Sequence, residues 1–203
     1  FEAAPAARVH GGCINDSFRW ETASGPQFVK IAPAASYAML EAEAAGLDEL
    51  AQAGAVRVPA VRGLGATSAQ AFLALEWIDF GSASPASESR LGEQLAWQHR
   101  VSAHAFGWRR DNTIGSTDQP NAWGDDWMAF FRERRLRHQL EIAARDGHDG
   151  PLRERGALLL ELMGAYFASY RPVPSLLHGD LWGGNWSADA SGQPVLFDPA
   201  VYF

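Results

Sequence analysis

The chain has 203 residues, 17 basic and 24 acidic, for a formal net charge of −7, and a single cysteine, Cys13. With 47% hydrophobic and 20% charged residues it can bury a core and is not of the disordered class, and no apolar run approaches the ~20 residues of a membrane span. The acidic balance argues against a general nucleic-acid binder, and one thiol leaves no internal disulfide or cysteine zinc site, which fits a reducing cytoplasm.

The opening FEAAPAARVHGG lacks the basic-then-apolar plan of a signal peptide. Residues 6–11 read as extended until Gly11-Gly12 breaks the run. Phe18–Thr22 alternates as a strand should, Ala23-Ser24-Gly25-Pro26 is turn chemistry, and Phe28-Val29-Lys30-Ile31 returns as a second strand ended by Pro33. Ser36 is a candidate N-cap for a helix from Tyr37 to about Ala53, with Gly54 as its C-cap. At 100° per residue Leu40, Leu47, Leu50 and Ala51 share one face, and Glu43 falls on it. A carboxylate on an apolar stripe needs a partner, unless it sits at the edge and reaches water.

Two more strands are expected near Val58–Gly65 and Ala71–Trp77, then a linker-like Phe80–Ser87. Helices follow at about 88–105, 125–145 and 151–170, broken by Pro172 and Pro174. Arg132, Arg134, Arg135 and Arg137 form the one basic patch and read as a solvated helix face. Asp125-Asp126 sits at a helix start, where carboxylates favour the macrodipole, and His99 reads as structural. The plan is α+β: a small antiparallel β-rich lobe with one helix over residues 1–79, and a mostly helical lobe over 80–203.

Chemistry concentrates in Leu177-His178-Gly179-Asp180-Leu181-Trp182-Gly183-Gly184-Asn185, followed by Phe197-Asp198-Pro199 on an expected strand. Phosphoryl transfer needs such a set. One carboxylate orients and accepts the proton of the attacking hydroxyl, while an amide oxygen and a second carboxylate hold Mg²⁺ against the phosphates. The Asn at this offset, with an Asp following, favours that reading over an Asx-rich turn between two strands. Upstream, Lys30 on a strand and Glu43 on a helix follow the loop Gly11-Gly12-Cys13-Ile14-Asn15. Kinase-type enzymes use a strand Lys on the nucleotide phosphates, held by a helix Glu, and a glycine loop can aim backbone N–H groups at phosphate. The loop is not a Walker A motif, since no Lys-Ser/Thr follows the glycines. The sole lysine has a plain origin in a bias toward Arg; that bias does not explain why Lys30 survives among sixteen arginines.

In the order of these motifs the chain resembles the aminoglycoside phosphotransferase/choline kinase-like superfamily, with its protein-kinase-like two-lobe fold. More narrowly it resembles the fructosamine kinase (ketosamine-3-kinase) family. The carrying segments are Gly11–Asn15, Phe28-Val29-Lys30, Asp111-Asn-Thr-Ile-Gly-Ser116 with Gln119 and Asn121, Leu176–Asn185, and Phe197–Tyr202. The resemblance implies ATP-dependent phosphorylation of the 3-hydroxyl of ketosamines, small or protein-borne. The 3-phosphate then eliminates, freeing the amine and deglycating the protein. Members of bacterial appearance are expected to prefer ribulosamines and erythrulosamines.

The resemblance also implies roles. Asp180 is the base, Asn185 and Asp198 hold Mg²⁺, Lys30 meets the ATP phosphates and Glu43 holds it. Gly11, Gly12 and Asn15 belong to the phosphate loop, and Leu75-Glu76-Trp77-Ile78 is the hinge that offers backbone groups to adenine. His178 is structural beneath the catalytic loop, Trp182 is either a wall of the sugar site or a core aromatic, and Asp111–Asn121 is a loop shaping the acceptor cleft. A cytoplasmic monomer is expected, with a thiol-linked dimer through Cys13 as the redox alternative. Against the family pattern the chain lacks a helix before the first strand and helices after Phe203, so apolar surface is expected under Asp180 and Asp198. Two other readings stand beside the leading one: an aminoglycoside- or choline-type small-molecule kinase, and a non-catalytic nucleotide-binding fragment.

Overall fold

The computed structural model describes residues 6–9 and 16–203. The expected phosphate-loop residues Gly11, Gly12 and Asn15, and with them Cys13, lie outside the described residues. Five antiparallel strands form the first sheet: β1 (Ala6–Arg8), β2 (Asp16–Thr22), β3 (Gly25–Pro33), β4 (Val61–Ala66) and β5 (Gln70–Glu76), in the order β1-β2-β3-β5-β4. β3 is therefore central, and its Lys30 is flanked in register by Ser17 of β2 and Leu73 of β5. The β2–β3 connection turns at Ala23-Ser24, with Gly25 at φ +106°, a conformation that suits glycine.

Helix α1 (Tyr37–Ala53) has the bounds its leucine spacing predicts, and Gly54 closes it in the left-handed conformation at φ +64°. Ser36 does not cap it: a 3₁₀ turn over Ala34–Ser36 leads in, and the Ser36 side chain makes no capping bond. Leu40, Leu47 and Leu50 are buried against Leu73 and Leu75 of the sheet. The same core cluster takes in Trp108, Leu176, Leu196 and Val201. At Gly46, α1 touches the segment after Asp198; a Cβ there would lie 3.3 Å from both Pro199 Cγ and Val201 Cγ2.

Helix α2 (Pro85–Gln98) starts earlier than expected, inside the supposed linker. Ser84 and Ser87 form a capping box, and Pro85 occupies the first turn, where its missing N–H costs nothing. It also ends earlier, because residues beyond it turn to bond the stretch before the His178-Gly179-Asp180 motif: Ala103 N–H to Pro174, and Leu176 N–H to Val101. His99 is the exposed residue at its C-terminal end.

A hairpin unforeseen in the sequence follows, β6 (Asn112–Ile114) and β7 (Thr117–Gln119). The expected helix over 125–145 is α3 (Trp127–Phe130), a π-helical stretch Phe131–Arg137 and α4 (His138–Arg145). Asp126 caps its start through Ala129 N–H at 2.7 Å. The widened turn corrects the reading of the basic patch. Arg135 points inward, bonding the Pro120 carbonyl and Asn121 Oδ1 at 2.7 and 2.6 Å and lying 4.1 Å from the Tyr202 ring centre. Helix α5 (Pro151–Tyr166) follows, then a short hairpin of β8 (Trp186–Ala188) and β9 (Pro194–Leu196). Apolar residues Leu158, Leu159, Leu162 and Tyr166 of α5 are exposed. Among the described residues no helix is long and apolar enough to cross a membrane.

Candidate active site

A cleft of about 770 Å³ opens between the sheet and the second half of the chain. Lys30, Glu43, Glu76, Ile78, Asp180, Trp182, Asn185 and Asp198 all line it. Every expected site residue within the described part of the chain is thus brought to one cavity.

At its centre lies an ion triad, with Lys30 and Glu43 buried and Asp198 open to the cleft. Lys30 Nζ donates to Glu43 Oε1 at 2.7 Å and to Asp198 Oδ1 at 2.6 Å. Lys30 is 6% exposed. Burial pulls its ammonium down, but the Glu43 and Asp198 carboxylates more than offset this and hold its pKa above the ordinary lysine value. Burial pushes the Glu43 carboxyl up, the Lys30 ammonium pulls it back, and the Asp198 charge adds to the push. Glu43 on the apolar stripe has the partner its position demanded. Removing Lys30 would leave two carboxylates facing each other without a cation, one of them the buried Glu43, at about 3–5 kcal/mol.

Asp198 departs from expectation in its backbone. It is not on a strand but two residues beyond β9, at φ +56°, the one non-glycine residue with positive φ among the described residues. The segment around it is laced to the loop that carries His178, Asp180 and Asn185. Phe197 N–H bonds the Asn185 carbonyl, Ala200 N–H bonds the His178 carbonyl, and Leu177 N–H bonds the Tyr202 carbonyl. Gly179, at φ +84°, sits so close to this lacing that a Cβ would lie 1.8 Å from the Ala200 oxygen. His178 is buried beneath the loop as foreseen. Its Nδ1 accepts from Asp180 N–H at 3.3 Å, so Nε2 carries the proton donated to the Phe197 carbonyl at 3.0 Å. Burial holds the imidazole below its ordinary pKa, against the carbonyl and the Asp180 and Asp198 charges, and keeps it neutral for this bridging task.

Asn185 donates through Nδ2 to both the backbone oxygen and Oδ2 of Asp180, at 2.8 and 3.0 Å. That orientation leaves Asn185 Oδ1 as a free acceptor in the same cleft as Asp198, whose Oδ2 makes no hydrogen bond among the described residues. A free amide oxygen and a free carboxylate oxygen are hard donors of the kind Mg²⁺ takes alongside substrate phosphates. No group of three or more His, Cys, Asp or Glu able to hold a metal exists among the described residues, so this is no all-protein metal cage.

At the other end of the cleft, the Glu76 N–H is used by the Ala60 carbonyl at 2.8 Å, and its carboxylate pairs with Arg57. Neither Trp77 nor Ile78 spends its backbone N–H or carbonyl on a hydrogen bond among the described residues. Trp182 is 62% exposed, which rules out the core-aromatic reading. Its indole lies over Gly184, where a Cβ would meet the ring at 2.3 Å. Thr113 and Gly115 of the β6–β7 hairpin also line the cleft. The Asp111–Asn121 motif pointed there, but its short polar strands carry no periodic signal of a hairpin.

Comparison with known proteins agrees with this geometry. The family model for fructosamine kinase matches residues 1–203. A protein named probable ketoamine kinase from Synechocystis is 39% identical over 96% of this chain and 65% of its own length. The chloroplastic protein-ribulosamine 3-kinase of Arabidopsis thaliana is 38% identical over 96% of this chain and 60% of its own length. The chain thus spans less than two thirds of the length of both relatives. A crystal structure provisionally named fructosamine-3-kinase, from Haemophilus somnus, superposes with a TM-score of 0.89 at 28% identity, covering 98% of this chain and 66% of that one. An aminoglycoside phosphotransferase superposes at 0.66 with 13% identity, over 98% of this chain and 68% of that one, a likeness of fold alone. With its α+β architecture and the kinase-like fold of these neighbours, the chain belongs to the fructosamine kinase family.

Proposed function

We propose that the protein is an ATP-dependent ketosamine 3-kinase that transfers the γ-phosphoryl group to the 3-hydroxyl of sugar adducts on amines. The observation that carries the reading is the single cleft that gathers Lys30, Glu43, Asp180, Asn185 and Asp198. Asp180 orients the acceptor hydroxyl and takes its proton as the oxygen attacks phosphorus. Asn185 fixes the Asp180 carboxylate through its amide N–H. Asn185 Oδ1 and Asp198 would hold Mg²⁺, which when bound neutralises charge on the phosphates. Lys30, steadied by Glu43, contacts the phosphate oxygens, and the free backbone groups of Trp77 and Ile78 face adenine. Gly11, Gly12 and Asn15 are assigned to the phosphate loop on sequence alone. The cleft and its surroundings comprise a nucleotide-binding lobe over residues 1–79 and a catalytic lobe over 80–203. The cellular setting is the cytoplasm, and the substrates are small ketosamines and glycated proteins, which are deglycated when the 3-phosphate eliminates.

The test is ATP consumption with ribulosamine, fructosamine, choline and kanamycin as acceptors, in wild type and Asp180→Ala. Turnover on a ketosamine should appear and fall at least 10³-fold in the variant, the scale expected for losing a catalytic base and substrate-orienting carboxylate together. No Asp180-dependent turnover on any ketosamine overturns the reading, and turnover confined to choline or kanamycin replaces it with a small-molecule kinase of that type.

A further inference from the structure

The β6–β7 hairpin is held with unusual thoroughness for two strands of three residues. Asn112, Gln119 and Asn121 are buried amides. Asn112 Nδ2 donates to the Val201 carbonyl at 2.8 Å, and Asn112 Oδ1 accepts from Gln119 Nε2 at 2.7 Å and Asn121 Nδ2 at 2.9 Å. Gln119 Nε2 also reaches the Ala200 carbonyl at 3.0 Å. Arg135 closes the network from outside, bonding Asn121 Oδ1 while stacked over Tyr202. The hairpin is thereby fixed in register with the stretch that follows Asp198. Losing one partner of such a buried network leaves an unsatisfied polar group, which is costly.

The rigid hairpin presents different side chains to two hollows. Ile114, Thr117 and Gln119 face a small hollow beside Arg134 and Arg135. Thr113 and Gly115 face the cleft that holds Asp180 and Trp182, at whose edge Asn112 also lies. The Thr113 hydroxyl is half-buried there and makes no hydrogen bond among the described residues. The Thr117 hydroxyl is likewise unbonded among the described residues but faces the other hollow, so Thr113 is the hairpin hydroxyl that the cleft receives.

We propose that Thr113 is an acceptor-specificity residue whose hydroxyl hydrogen-bonds a hydroxyl of the polyol chain of the ketosamine, with the Asn112–Gln119–Asn121 network holding it at a fixed distance from the reacting centre. This rests on the ketosamine reading above and names the side of the cleft that recognises the sugar. A fixed donor and acceptor discriminates a polyhydroxylated acceptor from one without hydroxyls, because the site's polar group is otherwise left unpaired. It costs little ordering on binding, since the hairpin is already rigid.

The experiment measures KM for N-ribulosyl-lysine and, separately, for ATP in wild type, Thr113→Val and Thr113→Ser. Thr113→Val keeps the shape and removes the hydroxyl. It should raise the ketosamine KM about 3- to 10-fold, the range of one neutral hydrogen bond, leave the ATP KM unchanged, and leave the melting temperature unchanged. Thr113→Ser should restore the wild-type ketosamine KM. A Thr113→Val enzyme with an unaltered ketosamine KM, or a Ser variant no better than Val, overturns the proposal while leaving the kinase reading intact. A wild-type enzyme without ketosamine turnover overturns both.

Discussion

Lys30 sits with its ammonium 2.7 Å from Glu43 and 2.6 Å from Asp198, and is itself buried at the floor of the cleft. A guanidinium is longer, planar and forked, and cannot meet two carboxylates at those distances without displacing one. Lys30→Arg should therefore lower kcat/KM for ATP about 100-fold, or ~2.7 kcal/mol. Arg132→Lys, Arg134→Lys and Arg137→Lys should stay within about twofold, because those side chains lie on the surface and exposed ion pairs contribute little. Arg135→Lys is excluded from that control set, since its fork is engaged at Pro120 and Asn121. Steady-state kinetics on the four variants checks the contrast, and equal losses at Lys30 and on the surface would refute it. At this scale much was legible. A carboxylate at position 43 on an apolar stripe called for a partner or an edge open to water, and the strand-borne Lys30 was the candidate partner. The left-handed Asp198 and the bare Cα of Gly179 were not legible, because both answer to the Ala200 backbone pressing in from a distant part of the chain.

Helix α1 carries Glu43 into the cleft, and its position is set by close packing at Gly46 on Pro199 and Val201. A larger side chain there would lever the helix off the segment that bears Asp198. Gly46→Leu should cost about 1–3 kcal/mol by overpacking, seen as a melting temperature lower by about 2–4 °C per kcal/mol, and should raise the ATP KM as Glu43 retreats from Lys30. Gly92→Leu on α2 has open space around its Cα and should leave both quantities unchanged or stabilise through better helix propensity. If the two substitutions behave alike by thermal melting and kinetics, packing at Gly46 does not position α1. Elements were readable in proportion to their periodicity. Four leucine-spaced turns and a closing glycine gave α1 to the residue. The β6–β7 and β8–β9 hairpins, three residues a strand, have no period to read, and their register comes from side-chain amides and carbonyls elsewhere in the fold. The start of α2 was hidden by reading Ser-Ala-Ser-Pro as linker when Ser84, Pro85 and Ser87 are helix-start chemistry.

Across the whole molecule, the sheet and the second half of the chain are joined by Arg57. It lies between α1 and β4, and its guanidinium reaches Glu76 at 2.8 Å on one side and Asp189 at 2.5 Å on the other. Its backbone carbonyl accepts from Leu196 N–H at 2.9 Å, so side chain and main chain together dock the β8–β9 hairpin on the end of the sheet. Asp189 is the anchor of that hairpin turn. It accepts from the Ser191 hydroxyl and N–H and from Gln193 N–H as well as from Arg57. The Ser191 hydroxyl foremost, with these partners, holds its carboxyl below the ordinary 3.8, at about 2. A folded-state value depressed in this way means that the anchor stabilises fully above the ordinary carboxylate range and is lost as pH falls from about 4 toward 2, where the native carboxylate finally protonates. Asp189→Asn removes the charge at every pH. Wild type should therefore unfold at a higher urea concentration than Asp189→Asn near neutrality, with a constant gap down to about pH 5 that narrows steadily below pH 4. The measurement is the difference in urea midpoints along a pH series, which cancels the titration of every carboxylate the two proteins share. A gap that keeps its full neutral-pH size down to pH 3 would show that shape rather than charge at Asp189 joins the two halves. A gap absent at pH 7 would show that the Arg57 bridge does not hold them together.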